Sequence, residues 1–159
     1  MIALYNRVIA WIFSILVMVL PFMQKYSPAL DVDKSVASVI AAIKTKDIST
    51  IESFMCKNIK DNVPNLRTEI GNLIDLIEGT ITSVSSKSSK DFYGSTGGKK
   101  IELAISNSIL NTTVTTFYLD IRWEVYNNFA FEERGIRYIQ LFIKPGSEYE
   151  LLTEIRASD

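Results

Sequence analysis

"TTVTTFYLDIRWEVY", residues 112–126, decides how this chain folds. From Phe117 onward, Leu119, Ile121, Trp123 and Val125 recur at every second position, with Tyr118, Asp120, Arg122, Glu124 and Tyr126 between them. Side chains alternate across a strand, so this period of two predicts one long β-strand, apolar face on a core and polar face outward. Aromatic and β-branched residues suit such a half-buried pleated surface.

The neighbouring segments follow suit. After Gly79, "TITSVSS" (80–86) reads as a first strand that ends in the Ser- and Lys-rich run "SSKSSKD" (85–91). "GSTGG" (94–98) is a turn of the kind that joins strands, and "KKIELAISNS" (99–108) follows with Ile101, Leu103 and Ile105 alternating. "IRYIQLFIK" (136–144), the turn "PGSE" (145–148) and "YELLTEIR" (149–156) complete about five strands joined by short connections.

Upstream, the period lengthens to that of helices. Val36, Val39, Ile40 and Ile43 mark one face of a helix from Asp33 to Lys46, with Asp31 or Asp33 available to cap it. Asp47 can cap a second, short helix striped by Ile48, Ile51, Phe54 and Met55. Pro64 suits the first turn of a third, whose stripe is Leu66, Ile70, Leu73, Ile74 and Ile77, with Gly79 at its stop. Three N-terminal helices followed by a mainly antiparallel sheet make an α+β domain, assigned to residues 30–159. A chain of 159 residues has room for one such core.

Residues 1–29 are different. Between Arg7 and Lys25 there is no charge, and Val8 to Met23 is apolar apart from Ser14. As a helix these residues would span about 24 Å, short of a hydrocarbon core of about 30 Å. Arg7, Pro21 and the small residues at Ser27-Pro28-Ala29 fit a signal peptide, and Lys25 and Tyr26 fit the interface end of a retained anchor. Both readings place the domain outside the cytoplasm, secreted or anchored, with the membrane touched only through residues 1–29.

Composition excludes several chemistries. After Ala29 there are 15 basic and 18 acidic residues, a net charge of −3 that gives no footprint for nucleic acid. His is absent, which removes the commonest general base and metal ligand. Cys56 is the only cysteine, so no internal disulfide can form, and it reads as a small buried apolar residue. Neither a Gly-rich phosphate loop nor a nucleophile elbow is present, and no cofactor or metal is expected.

"VIAAIKTKDISTIESFMCKNIKDN" (39–62) resembles the opening of nuclear-transport-factor-2-like domains, also called cystatin-like or SnoaL-like. "PNLRTEIGNLIDLIEGTITS" (64–83) and "RGIRYIQLFI" (134–143) resemble an uncharacterised family of small exported bacterial proteins with that fold. The resemblance covers about Val36 to Ile155 and implies a cone-like domain, its curved sheet wrapping the helices around a pocket. It implies no reaction.

Phe117 and Trp123, on the apolar face of the long strand, are the candidates for lining that pocket. Tyr118, Asp120, Arg122, Glu124 and Tyr126, on the opposite face, are candidates for an interface, including a homodimer through the sheet, because Tyr and Arg are enriched in contacts. The expectation is a non-catalytic binding module of the bacterial cell envelope for a small ligand or an envelope protein. The alternative is a cofactor-independent isomerase, dehydratase or hydrolase using an acidic residue in the cone.

Overall fold

The computed structural model of the chain describes residues 29–144 and 146–157, so the export segment expected at 1–29 lies outside the described residues but for Ala29. Helix α1 (Val32–Thr45) starts at Asp31, whose carboxylate accepts a hydrogen bond from the Lys34 N–H, and buries Val36, Val39, Ile40 and Ile43. Lys46 ends it in the left-handed region (φ 54°), returning its N–H to the last turn. Asp47 caps α2 (Ile48–Phe54) by accepting from the Thr50 N–H at 3.1 Å.

Among the described residues, four α-helices form where three were expected. The additional one, α3 (Lys57–Asn62), is six residues long, buries only Ile59 and has no side-chain cap. It therefore carries neither the stripe nor the cap that makes a helix visible in a sequence. The final helix, α4 (Leu66–Asp75), begins after Asn65 in the left-handed region, with Pro64 just outside its first turn. Leu66, Ile70, Leu73 and Ile74 are buried along it, as the stripe requires. Each such side chain contributes about 1.5–3 kcal/mol relative to exposure.

The sheet is a meander of five antiparallel strands in the order β1 (Ile81–Thr96), β2 (Lys99–Thr112), β3 (Thr116–Asn127), β4 (Gly135–Ile143) and β5 (Glu150–Arg156). The first strand does not stop at the Ser/Lys run but continues through it, pairing Ser88 with Ser106 and Lys90 with Ala104. As an edge strand it needs no second apolar face, and exposed Lys and Ser protect a free edge from further pairing. Gly97 and Gly98, both at positive φ, make the turn into β2.

Register is set by β3. Phe117, Leu119, Ile121 and Trp123 all face the core, pairing with Leu110, Ser108, Ser106 and Ala104 of β2. Ala104, Ser106, Ser108 and Leu110 are accordingly the buried face of β2, whereas Ile105 is half-buried and Ile109 exposed. The apolar alternation of Leu103 and Ile105 thus falls on the outer face.

The helices meet the sheet most tightly at the turn after α2. Met55 bridges Ile136, and the Cys56 N–H donates to the Ile136 carbonyl at 3.0 Å. Gly135 precedes this contact at φ +134°, and a Cβ there would collide with the Phe54 carbonyl oxygen. Gly135→Ala should therefore destabilise the fold by about 3 kcal/mol or more through strain and displaced backbone. Gly146→Ala, which meets open space, should stay within about 0.5 kcal/mol in the same urea titration.

Candidate functional site

The inner face of the sheet is uneven. Its β3 residues are large, but its β1 and β2 positions carry Val84, Ser86 and Ser88 opposite Leu110, Ser108 and Ser106, followed by Ala104. Small side chains leave space beneath α1. A cleft of about 580 Å³ opens there, with Val36, Ala37, Ile40 and Ala41 as an apolar wall and Ser86 and Ser88 as a hydroxyl-bearing floor. Asp33 and Lys44 stand at its margin. A neighbouring cleft of about 300 Å³ shares Asp33 and Ser88 and reaches Leu30, Lys90, Glu102 and Ala104.

Hydrogen bonds hold this floor. The hydroxyls of Ser86 and Ser108 lie 2.8 Å apart, and Ser106 accepts from the indole N–H of Trp123 at 2.9 Å. Lys90 pairs with Glu102 at 2.7 Å on the rim. These serines were not singled out in the sequence, although small residues at alternate positions 84–88 and 104–108, facing an amphipathic helix, were a readable sign of room. Phe117 and Trp123 are placed in the core, 2% and 0% exposed, with Trp123 edge-on to Phe54 at 6.2 Å. Neither lines the two clefts just described.

On the outer face, pairing arranges side chains in cross-strand rows. Ile109, Tyr118, Phe142 and Leu151 form an apolar row. Beside it run Asn107, Asp120, Gln140 and Glu154, where the Asn107 amide donates to Asp120 and the Gln140 amide to Glu154. The third row is Ile105, Arg122, Tyr138 and Arg156.

Tyr126 leaves this face. Glu124 pairs with Leu103 but Tyr126 with Glu102, so Val125 is an extra residue. Because neighbours on β2 point to opposite faces, this bulge breaks the alternation and separates Tyr126 from Tyr118, Asp120, Arg122 and Glu124. Arg134 lies over the rings of Tyr126 (5.0 Å) and Phe131 (4.6 Å).

Glu124 is the second departure from a solvated face, being only 3% exposed. Its Oε1 accepts from the Asn127 amide and its Oε2 from Arg137 Nη1 at 3.0 Å. Asn127 Oδ1 in turn accepts from the N–H groups of Phe129 and Ala130, so the carboxylate anchors the β3–β4 connection. Burial is the dominant influence and raises the Glu124 pKa above the ordinary carboxylate value, against the lowering by Asn127 and Arg137. Among the described residues, no group of three or more Cys, Asp and Glu side chains is placed to hold a metal ion.

A carboxyl whose pKa is higher folded than unfolded holds its proton more tightly in the folded state. Its ionisation removes stability as pH rises from the unfolded value, about 4.3, through the folded one. Asp31 and Asp47 act oppositely: the Lys34 N–H and the Thr50 hydroxyl hold their carboxyls below the usual range. Their contribution is present above the unfolded pKa and is lost as pH falls through the folded one. Comparing wild type with Glu124→Gln at each pH isolates Glu124. The difference in unfolding free energy should move in favour of the variant as pH rises above the unfolded carboxyl value of about 4.3. A flat difference would contradict a desolvated carboxylate.

No curated protein matches the chain. A family model described as a domain of unknown function (DUF5104) matches residues 38–145, from within α1 to just beyond β4. That match spans most of the helices and four of the five strands, and the chain belongs to this uncharacterised family.

Proposed function

We propose that this protein is an extracytoplasmic binding module with a nuclear-transport-factor-2-like arrangement, which holds a small amphipathic molecule between α1 and the β1–β2 half of the sheet. The observation that carries the reading is the cleft of about 580 Å³ between an apolar helix face and a serine floor. Ligand sites are commonly concave, about 300–1,000 Å³, and largely apolar with a few placed polar groups. The exposed Ala37 and Ala41 offer apolar surface, Ser86 and Ser88 offer hydroxyls, and Asp33 and Lys44 offer charge at the margin. Location outside the cytoplasm is supported by the uncharged, all-round apolar stretch Val8 to Met23.

Binding is favoured over catalysis by the state of the carboxylates around these clefts. Asp31 is engaged in capping α1, Glu102 is paired with Lys90, and Asp33 stands exposed to solvent at the margin of both clefts. The desolvated carboxylate, Glu124, is on the other face of the sheet, bonded to Asn127 and Arg137. A general acid needs both a shifted pKa and reach to the substrate, and these residues divide the two properties between them.

The reading is tested by thermal unfolding of the full-length chain against a library of amphipathic metabolites and envelope fragments. A true ligand at 100 times its dissociation constant should add about 2.7 kcal/mol. Ala37→Trp, which places an indole in the cleft from an exposed helix position, should abolish that gain while leaving the unliganded stability within about 0.5 kcal/mol. A ligand shift that survives Ala37→Trp would place binding elsewhere and overturn the assignment.

A further inference from the structure

The outer face holds a third cleft, of about 380 Å³, with a different chemistry. Arg122, Arg137 and Arg156 line it, together with Tyr138, Asn58 and Cys56, and no acidic residue does. The register explains the convergence. Arg122 pairs with Tyr138 and Tyr138 with Arg156, so the two arginines flank one tyrosine in a single cross-strand row. Strands lie about 4.8 Å apart, which sets the two arginine backbones about 10 Å from each other. Between Trp123 opposite Ile136 and Arg122 opposite Tyr138, Arg137 is an extra residue of β4, and this bulge brings the third guanidinium to the same cleft.

Each arginine is steadied by one carboxylate outside the lining. Arg122 Nη2 meets Asp91 at 2.9 Å, Arg137 Nη1 meets Glu124 at 3.0 Å and Arg156 Nε meets Glu154 at 2.8 Å. A guanidinium has five N–H donors, so one partner orients it without saturating it. Arg122 is further fixed over the Tyr138 ring at 5.2 Å, and its Nε is buried with no hydrogen-bond partner. Oriented forks with unused donors are the arrangement that recognises planar or tetrahedral oxyanions.

We propose that the row Arg122–Tyr138–Arg156, completed by Arg137, is a binding site for a carboxylate or phosphate group carried by a small molecule. The site is separate from the inner cleft and does not depend on it. Attraction between charges this exposed is screened by salt, so occupancy falls as ionic strength rises.

The test uses the full-length chain, with inorganic phosphate and citrate titrated separately while the arginine Nε–H resonances are followed by NMR. Saturable movement of the Arg122 Nε–H signal is expected, with phosphate alone marking a phosphate site, citrate alone a carboxylate site and both a general oxyanion site. Arg156→Gln, at an exposed position that should leave the unfolding temperature unchanged, should weaken the titration about tenfold or more. Lys87→Gln, on the edge strand, should not change it. No movement with either anion at millimolar concentration overturns the proposal, as does equal weakening by Arg156→Gln and Lys87→Gln.

Discussion

Trp123 is the residue around which this domain is arranged. It is fully buried, lies edge-on to Phe54 of α2, and faces Ala104 on β2 and Ile136 on β4. A side chain of this size on one strand requires small ones beside it in a close-packed interior. Its indole N–H must also be satisfied once buried, which Ser106 does. Ala104 and Ser106 are therefore consequences of Trp123. Ser108, Ser86 and Ser88 extend the small surface to the sheet edge. Helix α1, resting on this half of the sheet, cannot close fully onto it, and the inner cleft is the result.

The other face is shaped by departures from regular pairing. An extra residue at Val125 in β3 and another at Arg137 in β4 re-aim side chains at the end of the sheet where β4 begins. Gly135 lets that end approach the turn between α2 and α3, and Glu124 ties it to the β3–β4 connection through Asn127. The same irregularity buries one carboxylate and gathers three arginines. Inner and outer faces thus differ in kind: hydroxyls beneath an apolar wall on one, oriented guanidinium groups on the other.

The sequence reveals elements wherever one local signal is sufficient. Asp47 marks a helix start by itself, the spacing of Ile70, Leu73 and Ile74 marks a helix face, and Phe117 to Trp123 marks a strand. Element order and fold class follow from these. What remained hidden depends on partners distant in the chain. The Ser/Lys run of β1 becomes a strand because β2 is long enough to pair with it. Glu124 looks solvated until Arg137, 13 residues later, is brought over it. Alternation alone puts Tyr126 on one face with Tyr118, since a bulge leaves no mark in the hydrophobic pattern. The clefts were legible only indirectly, as small residues where a core strand usually carries large ones, and the arginine row needed the register of three strands.

The β1–β2 half of the inner face stands open beneath α1. Ser88, half-buried and lining both inner clefts, reports on this most directly through the urea unfolding free energy of Ser88→Leu. In a closed, well-packed core the added methyl groups would cost about 1–3 kcal/mol through overpacking. With open space above it, the leucine should be accommodated at a cost below about 0.5 kcal/mol, or should stabilise by covering apolar surface of α1. A loss of 2 kcal/mol or more would show that the space is filled, and would contradict the account of the cleft and of the function built on it.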